Sequence, residues 1–234
     1  MIDYEVTYKK VKHITLHIDR DGTLRVTAPY GLSKAAVEDA VARKAGWIAQ
    51  HQEQTRQLME ERAQQGLCNR YEDGGEIAYL GKQYPLEVKD AGKRRWQWTG
   101  ECLQLFGCTQ KAHCCQLTEQ FYRQQLSETI LPDLDKQVRR QLESLSLPQP
   151  QFIVRKMRGS WGVCYSQQKK IVINLWLAMA PMACIHQVLV HEYLHFCQNN
   201  HSSEFYALLE HFEPQYRQLK HTLSVMVDLN TVSQ

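Results

Sequence analysis

Three histidines and a glutamate in the C-terminal part of the chain have the spacing of a metal site. The segment from His191 to His195 reads H-E-x-x-H, and a third histidine, His201, follows shortly after it. In a helix, His191 and His195 lie one turn apart on the same face, so both imidazoles can bind one ion. Glu192 projects about 100° away from His191 around that helix, where its carboxylate can contact a water on the ion.

His201 comes after the expected end of the helix, where Asn199 and Asn200 can turn the chain back towards the site. Three protein ligands with an open fourth position are typical of catalytic zinc, because the open position receives water and substrate. The pattern therefore predicts a zinc-dependent hydrolase. His191, His195 and His201 would hold the metal, and Glu192 would be the general base that takes a proton from water and passes it to the leaving amine.

Other histidines and cysteines carry weaker signals. His186 falls on another face of the same helix, and a surface position is expected for His211. A second zinc site is not expected from four residues that lack C-x-x-C spacing, namely Cys108, His113, Cys114 and Cys115. Three residues are open candidates for stabilising the oxyanion: Arg158, Tyr206 and His211.

Composition indicates an ordinary soluble protein. Of the 234 residues, 43% are hydrophobic and 23% charged, and a formal charge of +3 does not mark a nucleic-acid binder. A chain of this size does not need disulfides from its 8 cysteines. The N-terminus has no basic-then-apolar signal sequence, and the longest apolar run, Leu175 to Val190, is too short to span a bilayer. We expect a cytoplasmic protein without a membrane segment; no feature indicates an oligomeric state.

The elements that must position the motif follow from periodicity. Strand patterns over 2–28 and 67–110 flank a long helix over 33–65 that Ser33 can cap, so residues 1–110 are predicted to form a β-rich region. In residues 111–234, helical spacing up to Leu145 is interrupted by Pro132, which predicts a kink or two abutting helices.

Three short strands are then expected at 152–157, 161–165 and 171–175. A helix beginning near Pro181 carries the motif and should end near Asn199-Asn200, and a second helix follows. The fold class is therefore α+β; the family resemblance described below implies that its C-terminal helix bundle packs on the small three-stranded sheet.

The stretch Lys93 to Trp98 mixes basic and aromatic residues, a combination that can bind single-stranded nucleic acid. The favoured interpretation is a strand beside a basic turn.

The chain resembles the YgjP-like metallopeptidase family, a minigluzincin-type group related to the SprT-like zinc proteases. His191 to His201 carries the resemblance, continued by Ser202, Phe205 and Tyr206. Further segments are similar to family patterns: Arg155 to Cys164 with R-x-M-K-S-x-W-G-S-C, Ile171 to Asn174 with Leu177 and Pro181, Ala28-Pro29, Lys44-x-x-Trp47-Ile48, and Leu80 to Tyr84.

The resemblance implies a zincin-like metallopeptidase domain over 111–234, with zinc on the three histidines and a protein or peptide as substrate. It also implies that the edge strand of the sheet could hold an extended peptide by strand addition. Two departures from the family pattern could alter the pocket. Val163 replaces the serine of W-G-S-C, and Tyr193 and Leu194 are bulkier than the residues usual between the two motif histidines.

Three alternatives stay open at this point. The same metal water could attack an amide of a non-peptide substrate. A nucleic-acid-associated SprT-like protease would use Lys93 to Trp98 and Arg155 to Arg158. A zinc-stabilised fold without catalysis would close the metal with a fourth protein ligand.

Overall fold

The computed structural model describes residues 2–19, 21–90 and 92–229 and confirms the α+β class. Its internal contacts divide the chain into two compact units, Met1–Gln64 and Gln65–Gln234. The predicted division into domains at residue 110 stays a prediction. Each unit is described separately below.

The first unit contains three strands and two helices. β1 (Glu5–Lys9), β2 (Thr15–Ile18) and β3 (Leu24–Pro29) form a sheet in the order β1-β3-β2. β3 pairs parallel with β1 and antiparallel with β2. α1 (Lys34–Arg43) and α2 (Ala45–Gln65) follow the sheet.

Ser33 caps α1 as expected, since its Oγ accepts a hydrogen bond of 3.3 Å from the Ala36 N–H. The prediction of one continuous helix over 33–65 is wrong, because Lys44 leaves helical geometry and separates α1 from α2. The break allows both helices to contribute to one small core. That core consists of Leu24, Val26, Ala28, Val37, Val41 and Ile48.

The second unit begins with a four-stranded sheet. Its strands are β4 (Gly75–Tyr79), β5 (Lys82–Lys89), β6 (Arg95–Trp98) and β7 (Leu103–Phe106), in the order β4-β5-β7-β6. β5 and β7 are parallel neighbours, and the other pairs are antiparallel.

The aromatic residues of the basic and aromatic stretch belong to this unit's core. The rings of Trp96 and Trp98 lie 5.2 Å and 5.4 Å from that of Phe121. This packing supports the interpretation of Arg95–Trp98 as a strand, and the nucleic-acid hypothesis stays untested.

The helical region after the sheet is continuous. α3 (Lys111–Gln124) passes into a π-helical segment, Gln125–Ile130, and then into α4 (Leu131–Gln141). Pro132 has no N–H to donate to the preceding turn, and its ring crowds that turn. A wider π turn just before Pro132 accommodates both effects, at the place where a kink or two abutting helices were predicted.

The predicted three-stranded sheet is confirmed. β8 (Gln151–Arg155), β9 (Gly162–Tyr165) and β10 (Lys170–Asn174) have the order β8-β10-β9. β10 pairs parallel with β8 and antiparallel with β9, so β9 is an edge strand.

Three helices complete the unit: α5 (Met182–Leu194), α6 (Ser203–Phe212) and α7 (Tyr216–Met226). α5 is almost wholly buried and packs against α4, α6, α7 and β9. It ends at Leu194, earlier than the predicted end near Asn199, and α7 was not predicted. Within the described ranges, no helix is both long and apolar enough to cross a membrane. All eight cysteines are free thiols.

Candidate metal centre

The three motif histidines converge at the C-terminal end of α5. One ligand nitrogen from each of His191, His195 and His201 lies within 4.8 Å of the others. The Nε2 atoms of His191 and His201 are 3.0 Å apart. Tetrahedral zinc with Zn–N bonds of about 2.1 Å needs neighbouring nitrogens about 3.4 Å apart, so this spacing suits a shared ion.

The early end of α5 fixes the orientation of the second histidine. His195 is the C-cap of the helix, and its Nδ1 lies 2.8 Å from the carbonyl oxygen of Gln198. Since a carbonyl only accepts, Nδ1 carries a proton, and in the neutral imidazole this leaves the lone pair on Nε2 for a metal. A hydrogen bond of this kind orients metal-binding histidines in proteins.

Phe205 of α6 supports all three rings from the next helix. Its ring is fully buried and stacks on His195 at 4.7 Å, with edge contacts to His191 at 4.8 Å and His201 at 4.9 Å. The α6 N-cap, Ser202, accepts a hydrogen bond from the Phe205 N–H. Packing against Phe205 therefore holds the three imidazoles in place without a bound ion.

The electrostatics favour the neutral form of His191 and His201. Burial, together with the neighbouring His195 and His201 and the Lys220 ammonium, lowers the pKa of His191 to about 3. Burial, His195 and Lys220 lower the pKa of His201 as well. Neutral imidazole is the metal-binding form, so the cluster is suited to a cation at physiological pH.

Glu192 is a buried carboxylate beside this cluster. It is 4% exposed, and its Oε2 has no hydrogen-bond partner in the described part of the chain. Burial raises the pKa of Glu192 to about 8, against the opposing effect of the Cys164 backbone N–H. A cation at the histidines would favour the charged carboxylate. The donor set and the unpartnered oxygen thus fit a metal ion with its water.

Gly162 leaves the space that the carboxylate occupies. A Cβ at this position would lie 2.6 Å from Glu192 Cγ and 2.7 Å from its Oε1. No side chain fits there without displacing Glu192. A glycine is thus required after Trp161, because the Glu192 side chain lies too close to this backbone for a Cβ.

Asn174, the last residue of β10, fixes the loop that leads into β9. Its fully buried amide donates to the carbonyl oxygens of Met157 at 2.9 Å and Ser160 at 2.8 Å. Its Oδ1 accepts from the Trp176 N–H at 3.3 Å, and its own N–H donates to Trp161. The position of Gly162 therefore depends on this side chain.

The histidines and Glu192 line a cavity of about 570 Å³. Two surfaces border it, both packed on α5. The strand wall consists of Gly162, Val163 and Cys164 of β9. The helix wall consists of Tyr206 and Leu209 of α6 with Tyr216, Lys220 and Leu223 of α7.

The two departures from the family pattern have different outcomes. Val163 lines the cavity in place of the serine. Tyr193 and Leu194 are fully buried and do not line it. The Tyr193 hydroxyl instead donates to Asp135 of α4, because this part of α5 faces the helix bundle.

The other candidate residues named from the sequence have different locations. Tyr206 lines the cavity, whereas Arg158 and His211 do not. His186 pairs with Glu213 at 3.2 Å. Among the described residues the three motif histidines form the one potential metal cluster, so Cys108, His113, Cys114 and Cys115 make no second site.

Sequence reasoning missed the residues of α7 that line the cavity. Lys220 and Leu223 lie four and seven residues after Tyr216, which also lines the cavity, and this helical spacing was the available signal. The close approach at Gly162 and the ring support by Phe205 left no signal in residue spacing, since both depend on tertiary contacts.

A model of the YgjP-like metallopeptidase domain matches residues 12–225. The chain belongs to the YgjP-like family. The match includes the histidine cluster, the strand wall and most of the helix wall, and it extends into the first unit. No curated protein matches the chain.

Membership in the YgjP-like family implies a hydrolase that uses a metal ion and acts on proteins or peptides. The histidine cluster is a group that could hold such an ion.

Proposed function

We propose that this YgjP-like protein is a zinc-dependent peptidase in which His191, His195 and His201 hold the metal and Glu192 is the general base. The observation that carries the proposal is the buried, unpartnered Glu192 oxygen beside three converging imidazoles in an open cavity. A buried carboxylate without a partner is unfavourable unless a ligand or water completes its environment.

Each residue has a separate role in the proposed reaction. Bound zinc would act as a Lewis acid that lowers the pKa of water and polarises the scissile carbonyl. Glu192 accepts a proton from the attacking water through Oε2 and later delivers it to the leaving amine. Gly162 and the Cys164 N–H keep the Glu192 carboxylate in position for both transfers.

An open metal position favours catalysis over a purely structural ion. In the described part of the chain, no fourth histidine, cysteine or carboxylate joins the group formed by His191, His195 and His201. Structural zinc is almost always closed by four protein ligands. The cavity leaves room for water and substrate at the remaining position.

Two surfaces suit a peptide substrate. β9 is an edge strand and borders the cavity, so an extended peptide can pair with its backbone. Tyr206 on the helix wall is the candidate donor to the oxyanion, since it lines the cavity and its ring lies 6.1 Å from that of His201.

The central test replaces Glu192 with Gln. We expect the Glu192→Gln variant to keep about one zinc per chain and to lose about 10³-fold in peptide hydrolysis, because the ligands remain while the base is removed. Elemental analysis and digestion of a peptide library measure the two effects. Glu210→Gln, an exposed change on α6, is the matched control. Cleavage that persists in Glu192→Gln at the wild-type rate contradicts the mechanism.

A second test concerns the metal. His201→Ala should lose zinc and hydrolysis together, since two imidazoles bind zinc far more weakly than three. His211→Ala changes an exposed histidine that does not line the cavity, and it should keep both. Full zinc content in His201→Ala would remove His201 from the ligand set.

A further inference from the structure

α7 turns one side towards the metal cavity. Tyr216, Lys220 and Leu223 have the spacing of one helical face, and all three line the cavity. Tyr216 and Leu223 are buried, whereas Lys220 is exposed. The two buried neighbours anchor this face of the helix, and the lysine between them is free to extend into the opening.

Lys220 is the one lysine or arginine among the described residues that border this cavity. Across the described ranges, no ion pair joins its ammonium to a carboxylate of the chain. It lines the same cavity as His191, His195 and His201, the proposed metal ligands. A cation without a counter-ion therefore lies at the edge of a site built for a second cation.

Two positive charges in one cavity repel each other and attract anions. Glu192 is buried beside the histidines, and its Oε2 accepts no hydrogen bond from Lys220 or any other described residue. The part of the cavity bordered by α7 is thus complementary to a negative group on the substrate. An ammonium on a flexible stem, with three donors, suits a carboxylate at a range of positions.

We propose that Lys220 binds a carboxylate of the substrate and is therefore a specificity-determining residue. The carboxylate belongs either to the C-terminus of a peptide or to an acidic side chain near the scissile bond. The inference rests on the proposed peptidase function for the class of substrate. It assigns to the helix wall a role in selecting substrates, separate from the activation of water by Glu192.

The test measures binding, so that it does not depend on turnover. Zinc-loaded Glu192→Gln protein is titrated with fluorescent peptides of one sequence that differ in a single charge. One pair compares a free C-terminal carboxylate with a C-terminal amide. The other pair is amidated and compares an internal Glu with Gln.

We expect Kd to be about tenfold lower for the charged member of one pair, as for one charge-assisted hydrogen bond at a partly exposed site. Adding Lys220→Gln should bring the two Kd values together. Adding Lys111→Gln, the same change at an exposed lysine that does not line the cavity, should leave the tenfold difference intact. The pair that shows the difference identifies the source of the carboxylate.

Equal Kd values within both pairs, no binding of any peptide, or a preference that survives Lys220→Gln would each overturn the inference. Failure of the peptidase proposal has a different signature. Wild-type protein would then hydrolyse none of the peptides, while the binding comparison would still show whether Lys220 selects the charged ones.

Discussion

The two walls of the cavity differ in what they are made of. The strand wall acts through its backbone: an absent Cβ at Gly162 and the N–H of Cys164 define the position of Glu192. The helix wall acts through side chains, with the phenol of Tyr206 and the ammonium of Lys220 facing the opening. Backbone placed by a sheet is hard to change one residue at a time, whereas helix side chains can be exchanged without moving the helix.

This difference separates the proposed reaction from the choice of substrate. Changes that reach the strand wall should disturb Glu192, and through it every substrate alike. Changes on the helix wall should alter rate or affinity in a way that depends on the substrate. Four substitutions test this contrast, from the largest expected effect to the smallest.

Asn174→Ala removes the support of the strand wall. The carbonyl oxygens of Met157 and Ser160 lose their donor inside the protein, and we expect a loss of about 3 kcal/mol in the free energy of unfolding. Urea denaturation measures it, with exposed Asn200→Ala as the control. A loss as small as that of the control would show that the loop before β9 is held by other contacts.

Gly162→Ala adds a methyl group to the strand wall where it contacts the Glu192 carboxylate. The added methyl group must displace Glu192, so hydrolysis should fall by about a hundredfold while zinc content is unchanged. Gly159→Ala lies in the same loop, has nothing within 4 Å of its added Cβ, and should retain activity. The ratio of rates between two unrelated peptides should stay constant in Gly162→Ala. A ratio that changes would mean that the strand wall also selects substrates.

Tyr206→Phe removes one donor from the helix wall. We expect kcat to fall about thirtyfold, less than is usual for a buried oxyanion donor, because Tyr206 is 39% exposed. Steady-state kinetics should show the loss in kcat with little change in KM. Tyr30→Phe, at a highly exposed position in the first unit, is the control. An unchanged kcat in Tyr206→Phe would remove it as the oxyanion donor.

Tyr193→Phe tests the side of α5 that faces away from both walls. It removes a hydroxyl that donates to Asp135, so the protein should lose about 1 kcal/mol of stability and keep its kcat. Thermal unfolding and peptide hydrolysis measure the two quantities. A fall in kcat would show that this residue, although inside the H-E-x-x-H segment, influences the chemistry.

The sequence predicted the convergence of the three histidines better than the elements around them. The one-turn separation of His191 and His195 is a local helical property, so it could be read without a fold. The three-stranded sheet followed from alternation in short segments, and the cap at Ser33 from its residue type.

The errors concern features that are set by tertiary contacts. The helix predicted from local periodicity extends past Leu194. Periodicity does not reveal that His195 caps α5 and that its Nδ1 bonds the carbonyl oxygen of Gln198. The break at Lys44 accompanies the packing of α1 and α2 against one small core. The direction of Tyr193 depends on Asp135, far away in sequence, and the role of Lys220 depends on how α7 packs on α5.

Phe205 has a thermodynamic consequence. Because its ring packs on all three histidines, docking of α6 and ordering of the proposed metal ligands are linked equilibria. An ion that binds only the folded state adds about 2.7 kcal/mol of stability at a free concentration of a hundred times its Kd. The melting temperature of this protein should therefore rise with free zinc concentration, and packing defects at Phe205 should weaken zinc affinity without touching a ligand.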